Sequence, residues 1–180
     1  MYKIIERKQE YVARFEIIMD TIERNGNIFP YSFVKMKAGV VVVPVTAEGI
    51  CIIKQYRHPV SQWSIEFPGG IIDSEETPED AAIRELHEES GCINKKIYYL
   101  GMIYPSIGCT DEVVHIFVSY CKKEDLGQLD VSEIIQTELV SEEKIDEMLE
   151  QNKIIFGTTI IAWQKYKNFK NKLVDCGILN

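Results

Sequence analysis

The stretch that decides the fold runs Gly70-Ile71-Ile72-Asp73-Ser74-Glu75-Glu76-Thr77-Pro78-Glu79-Asp80-Ala81-Ala82-Ile83-Arg84-Glu85-Leu86-His87-Glu88-Glu89-Ser90-Gly91-Cys92. Its second half is a helix by several local signals. Thr77 is a good N-cap, and Pro78 sits at the first helical position, where its missing N–H costs nothing. Asp80, three after Thr77, completes a variant of the capping box. Ala81 to Ser90 contains no breaker, and Gly91 suits a left-handed C-cap. At about 100° per residue, Glu85 and Glu89 share a face and Glu88 lies beside Glu85. Ala82 and Leu86 flank this acidic stripe and can press the helix onto a sheet.

Like charges at this spacing weaken an isolated helix. Arg84, four before Glu88, can neutralise one of the three carboxylates. The others need hydration or a bridging cation, and all-oxygen ligands suit hard ions, Mg²⁺ or Mn²⁺. Just upstream, Pro68-Gly69-Gly70 lets the backbone approach a ligand closely, and Glu76 can fold back toward the acidic face. Taken singly, an acidic helix is most often a solvated face. The joint spacing is what points to one site.

The charge supports that reading because it is local. The 180-residue chain carries a net charge of −8, and Asp73 to Glu89 alone, with eight acids and one arginine, accounts for −7. An acidic focus suits bound cations, and a reader of nucleic-acid backbones would show the opposite sign. The longest apolar run, Gly39 to Val45, is far too short to cross a bilayer, and the first residues lack the apolar stretch of a signal peptide. The five cysteines are odd in number, scattered and free of any Cys-x-x-Cys. A disulfide framework and a zinc knuckle are therefore not expected, and a reducing cytoplasm fits.

Outward from the helix, strands are expected at Val40–Val45, Ile50–Tyr56, Ser64–Phe67, Lys96–Tyr104, Val113–Tyr120 and Ile134–Val140. The first two flank the turn Thr46–Gly49 and read as a hairpin. Two closing helices are expected, from Ser141 or Glu142 to Gln151 and from Thr158 to Phe169. With 46% apolar residues there is enough for a core. The expected class is α+β, a mixed sheet with helices packed on its faces. Residues 1–36 read as a small N-terminal β region, and 37–180 as the main domain. In the former, short runs at Lys3–Arg7, Tyr11–Met19 and Ile22–Arg24 precede a turn at Asn25-Gly26-Asn27.

The spacing Gly70, five residues, Glu76, seven residues, then Arg84-Glu85-Leu86-His87-Glu88-Glu89-Ser90-Gly91-Cys92 resembles the Nudix box, the signature of the Nudix hydrolases. The one mild departure is the final aliphatic site, filled here by the small thiol of Cys92. The flanks Ile53–Arg57 and Ile65–Asp73 resemble the ADP-ribose and ADP-sugar pyrophosphatase branch, which usually has Ala where Gly69 stands. Tyr104–Glu112 is similar to that branch's substrate loop. Two residues separate Pro105 from Gly108 here, a departure that bears on base specificity more than on catalysis. The N-terminal strands resemble the branch's dimerising region.

The resemblance implies an α/β/α sandwich, a homodimer and a nucleotide substrate. It also implies divalent cations that screen the phosphates, polarise the scissile P–O bond and lower the pKa of a bound water. Glu85 and Glu89 are the implied metal ligands, with Glu88 a third and the Gly69 carbonyl a further one. Arg84 orients the glutamates. Arg57 is a phosphate clamp or else a surface strand-end arginine. Glu66 and Glu112 are candidates for ribose or base contacts, or are acids satisfied locally. Glu133 is the candidate general base, with Asp130 and Glu138 close enough to take that place. Phe29 or Tyr31 would offer an aromatic platform across a dimer interface, or else are core aromatics. His58, His87 and His115 show no metal spacing. Trp63 and Trp163 read as packing residues, and Lys165, Lys167, Lys170 and Lys172 as a solvated helix end.

Three readings follow. The first is a divalent-metal-dependent pyrophosphatase for ADP-ribose or a related nucleoside diphosphate sugar. The second changes the substrate to a dinucleotide, a nucleoside triphosphate or a coenzyme. The third is a nucleotide sensor that binds without cleaving.

Overall fold

The computed structural model describes residues 1–124 and 134–175. They divide into two compact units, Met1–Ala38 with Tyr104–Val113, and Gly39–Ile103 with the residues from Val114 onward.

The first unit is an antiparallel meander of β1 (Lys3–Val12), β2 (Phe15–Arg24) and β3 (Asn27–Lys35). Asn25 and Gly26, at φ 54° and 79°, make the tight turn between β2 and β3. The run expected over Tyr11–Met19 is instead cut in two, because Val12 pairs with Phe15 across Ala13-Arg14. Ala13 takes φ 53° there, a position that glycine or asparagine usually holds, so no turn residue marked it. Arg7 grips Asp20 through two hydrogen bonds of 2.7 Å. The segment Tyr104–Val113 lies against β3. Val34 N–H donates to Cys109 O at 2.9 Å, and the Tyr31 hydroxyl donates to Gly108 O at 3.1 Å. Tyr31 is 45% exposed and so is not the core aromatic it could have been.

The second unit is built on β4 (Gly39–Val45), β5 (Ile50–Arg57), β6 (Gln62–Glu66), β7 (Cys92–Ile103), β8 (Val114–Lys123) and β9 (Ile134–Val140). The sheet order is β6-β5-β4-β8-β7, with β9 paired to β5. Strands β4 and β8 are parallel, and the other pairs are antiparallel, so the sheet is mixed. The expected β4–β5 hairpin pairs only at Val45–Ile50. Beyond that point β5 is taken up by β9, from Ile50–Val140 to Gln55–Ile134. Gly49, at φ 146°, allows it: a Cβ there would lie 2.6 Å from the Val140 carbonyl oxygen.

Helices α1 (Pro78–Ser90), α2 (Glu142–Glu150) and α3 (Gly157–Asp175) supply the outer layers. Period-two alternation along β4 divides the valines between two cores. Val40 and Val42 join Phe117, Ala81, Ala82 and Leu86 beneath α1. Val41 and Val43 join Ile116, Val118, Ile145, Ala162 and Trp163 beneath α2 and α3. Leu86 is wholly buried, which stabilises the helix–sheet contact by about 1.5–3 kcal/mol.

The C-terminal lysines are not a freely solvated end. Lys167 reaches Asp146 at 2.6 Å and Lys170 reaches Glu142 at 2.7 Å, tying α3 to α2. The indole N–H of Trp163 donates to Asp146 at 2.7 Å, and the ring is 2% exposed, as a packing residue should be. Among the described residues, no helix is long and apolar enough to cross a membrane.

Candidate active site

Helix α1 begins as its sequence dictates. Thr77 Oγ1 accepts the N–H of Asp80 at 3.1 Å, and Gly91 closes the far end at φ 67°. This places Glu85 and Glu89 on the side that faces the Pro68-Gly69-Gly70 turn. The N–H of Gly69 donates to Glu89 Oε2 at 2.8 Å. A Cβ added to Gly70 would fall on the Glu85 carboxylate, so the second glycine is a space that Glu85 fills. A Cβ on Gly69 would land on the Val40 carbonyl oxygen. The close approach of β4 thus explains why glycine stands at that position.

Arg84 organises the acids. Its Nε and Nη2 bind the two oxygens of Glu76 at 2.9 Å each, in a planar fork. Nη1 reaches Glu85 at 2.7 Å and Glu88 at 3.1 Å, and Nη2 also donates to the Ile71 carbonyl at 3.1 Å. Glu76 does fold back, and this one guanidinium joins the loop to the helix. Its hydrogen bond holds the Glu76 carboxyl below the usual range.

Glu85 and Glu89 are in a different condition. Burial pushes the Glu85 carboxyl up, against the opposing hydrogen bond from Arg84. Burial pushes Glu89 up to about 7, with the charges of Glu85 and Glu66 adding to the rise and the Gly69 N–H and Arg57 opposing it. These are two half-buried carboxyls whose charged forms burial disfavours. Glu88 is 57% exposed and leans on Arg84.

The same electrostatic neighbourhood contains Arg57 and Glu66. Arg57, at the end of β5, donates to Glu66 through Nε at 2.8 Å and Nη2 at 2.5 Å. Glu66 is 1% exposed, so this is a buried carboxylate held by a two-pronged ion pair. Phe156 lies under the guanidinium, 5.5 Å from ring centre to Cζ. Sequence reasoning singled out Arg57 and Glu66 separately, without seeing that each holds the other. It missed Phe156 altogether, which lies far along the chain with no local motif.

The remaining candidates divide. Glu112 belongs to the first unit, where burial raises its carboxyl. Glu133 and Asp130 lie outside the described residues. Glu138 is exposed on β9. Surface hollows of the second unit, one lined by Tyr99, Lys165 and Lys172 and another by Ile53, Ile65 and Glu138, include none of the helix acids. Hydrogen bonds and charge define the site.

Among the described residues, no three acidic, histidine or cysteine side chains converge as they stand on one metal-sized point. Arg84 lies between Glu85 and Glu88. The donor chemistry nevertheless fits a hard dication. The ligands on offer are carboxylate oxygens, two of the carboxyls are half-buried and raised by burial, and Gly70 leaves the space that one of them occupies.

Residues 35–163 match the NUDIX domain, and the chain belongs to the Nudix family. It is a Nudix hydrolase that resembles the ADP-ribose pyrophosphatases, in a family that generally uses divalent metals. It is 31% identical to the ADP-ribose pyrophosphatase of Bacillus subtilis (strain 168) over 176 residues, 95% of either chain. It is 30% identical to the methanol dehydrogenase activator of Bacillus methanolicus, over 90% of either chain. A 100-residue segment is 42% identical to the ADP-sugar pyrophosphatase of Mus musculus, covering 53% of this chain and 46% of that one. The crystal structure of an ADP compounds hydrolase superposes with a TM-score of 0.84 over 99% of this chain and 97% of that one; at 20% identity this likeness concerns the fold.

Proposed function

We propose that this hydrolase cleaves the diphosphate bond of ADP-ribose or a related nucleoside diphosphate sugar, with Mg²⁺ or Mn²⁺, to give a nucleoside monophosphate and a sugar phosphate. The observation that carries the reading is the pair Glu85 and Glu89, half-buried against the glycine turn with both carboxyls raised by burial. A diphosphate is itself anionic, so bringing it to such a place is repulsive unless cations intervene. The curated relatives above, named for ADP-ribose and ADP-sugars, support the choice of substrate class.

Glu85 and Glu89 would hold the dication, with Glu88 a third carboxylate at the rim. The Gly69 carbonyl is a fourth donor. It lies between the Pro68 and Gly70 carbonyls, which accept the N–H groups of Val42 and Val40. When bound, the cation supplies charge that screens the diphosphate and polarises the scissile P–O bond. Arg84 is a positioning residue, since its guanidinium is spent on Glu76, Glu85, Glu88 and Ile71. Arg57 binds phosphate while Glu66 fixes the orientation of its fork. Glu112 contacts the nucleoside, and Glu133 takes the proton from the attacking water.

Residues 1–36 are proposed to serve dimerisation. Every residue of β1 is exposed, Ile4, Ile5, Tyr11 and Val12 among them, and a second copy would cover this surface. The four described cysteines are free thiols, which suits a reducing, cytoplasmic compartment.

The test is hydrolysis of ADP-ribose with Mg²⁺ or Mn²⁺, with products separated by chromatography, and removal of the metal by chelator. Turnover that stops on chelation supports the proposal. No turnover with either metal sinks it, and tight nucleotide binding without cleavage would favour a sensor. A side-by-side panel of dinucleotides, triphosphates and coenzymes, compared by kcat/KM, decides between substrate classes.

A further inference from the structure

Three thiols lie together beneath α1, apart from the acids. Cys51 on β5 and Cys92 at the start of β7 are wholly buried in the core that α1 covers, and Cys121 on β8 packs against the same core. Cys121 is the one of the three that is only partly buried. Strands β7 and β8 pair with Cys92 opposite Lys123 and Asn94 opposite Cys121. Cys92 and Cys121 are therefore diagonal neighbours on one face of the strand pair. Lys123 Nζ donates to the Ser90 carbonyl at 2.6 Å, which holds a cation beside the cluster. Among the described residues these thiols do not form a metal-holding group, so their proximity points to sulfur–sulfur chemistry.

We infer that Cys92 and Cys121 are a reversible oxidation site, closing to an intramolecular disulfide when a hydroperoxide reaches Cys121. Exposure assigns the two roles. Cys92 is wholly buried, whereas Cys121 is only partly so. A hydroperoxide therefore meets the cluster at Cys121, whose thiol gives up its proton as it reacts. There the sulfur attacks the peroxide, the O–O bond breaks, a sulfenic acid forms on Cys121, and water or an alcohol leaves. The Cys92 sulfur then attacks the Cys121 sulfur. The S–S bond forms, the S–O bond breaks, and water leaves with the Cys92 proton. Two sulfurs are oxidised by two electrons in total, and the hydroperoxide is reduced.

Geometry makes this bond a labile one. Diagonal strand neighbours stand about 7–8 Å apart at Cα. Unstrained disulfides favour about 5.5–6 Å. The backbone must give slightly, and strained disulfides are the more easily reduced. The disulfide would tether the chain just past the C-cap of α1, Gly91, to β8.

The experiment treats the full chain carrying Cys109→Ser and Cys176→Ser with hydrogen peroxide, then measures intact mass and maps peptides without reduction. The expected result is a loss of the mass of two hydrogen atoms, a peptide containing Cys92 joined to one containing Cys121, and full reversal by dithiothreitol. Adding Cys121→Ser should abolish the joined peptide and leave Cys51 and Cys92 reduced; this partly exposed position spares the core that Cys92→Ser would disturb. Free thiols at both positions after treatment would overturn the inference. So would a bond made through Cys51, or sulfinic acid on Cys121 beside an unmodified Cys92.

Discussion

The Glu89 carboxylate accepts the backbone N–H of Gly69 at 2.8 Å, and through this bond the acidic helix is latched to the glycine turn. It is the contact that converts a charged helix face into the wall of a site. It also leaves one oxygen of a half-buried carboxylate for a cation.

Glu89→Gln should keep the latch, because an amide oxygen still accepts the Gly69 N–H, while removing the charge. Activity is expected to fall by about a thousand-fold or more, as for other groups that stabilise charge in the transition state. Melting temperature should change little. Steady-state kinetics with a parallel thermal melt checks both, and a variant retaining most of its rate would refute the assignment of Glu89 as a metal ligand.

Gly70→Ala places a methyl on the Glu85 carboxylate. Glu85 must swing away, so the expected loss of activity is roughly 100-fold, with an overpacking cost of about 1–3 kcal/mol. Chemical denaturation separates the two effects. An active, stable Gly70→Ala enzyme would show that Glu85 does not need this place.

Arg84→Lys keeps the charge but loses the fork on Glu76 and the reach to Glu85 and Glu88. Because Arg84 acts through the glutamates, kcat is expected to drop roughly 10- to 100-fold and metal affinity to weaken, while KM for substrate stays near its original value. A rise in KM with unchanged kcat would instead put Arg84 on the substrate.

Acid should loosen the first unit through Asp20. The two hydrogen bonds from Arg7 hold its carboxyl below the usual carboxylate range. A folded-state pKa below the unfolded one contributes stability above the ordinary value of about 3.9 and loses it as pH falls through the depressed value. The melting-temperature difference between the natural chain and Asp20→Asn should thus be constant near neutrality and shrink only below about pH 4. A difference that grows on acidification would contradict the ion pair.

Much of this protein was legible because its signals are local. The N-cap at Thr77, the stop at Gly91 and the acids between them lie within one continuous stretch, where helical spacing alone decides which side chains share a face. The mixed sheet with helices on it followed from strand and helix patterns of the ordinary lengths. What escaped reading was set by partners distant in the chain. The β4–β5 hairpin dissolved because β9, far along the chain, competes for the same backbone groups of β5. The lysines of α3 looked solvated until α2 was folded against them.

The sequence by itself determined the acidic helix, the glycine turn before it and the family to which they belong, since each rests on residues near one another along the backbone. Only the tertiary structure decided that Glu89 bonds to Gly69, that Arg57 and Glu66 hold each other, and that three scattered cysteines meet in one core. Such pairings depend on where strands cross in space, and hydrogen bonds and burial act over a few ångströms whatever the separation in sequence.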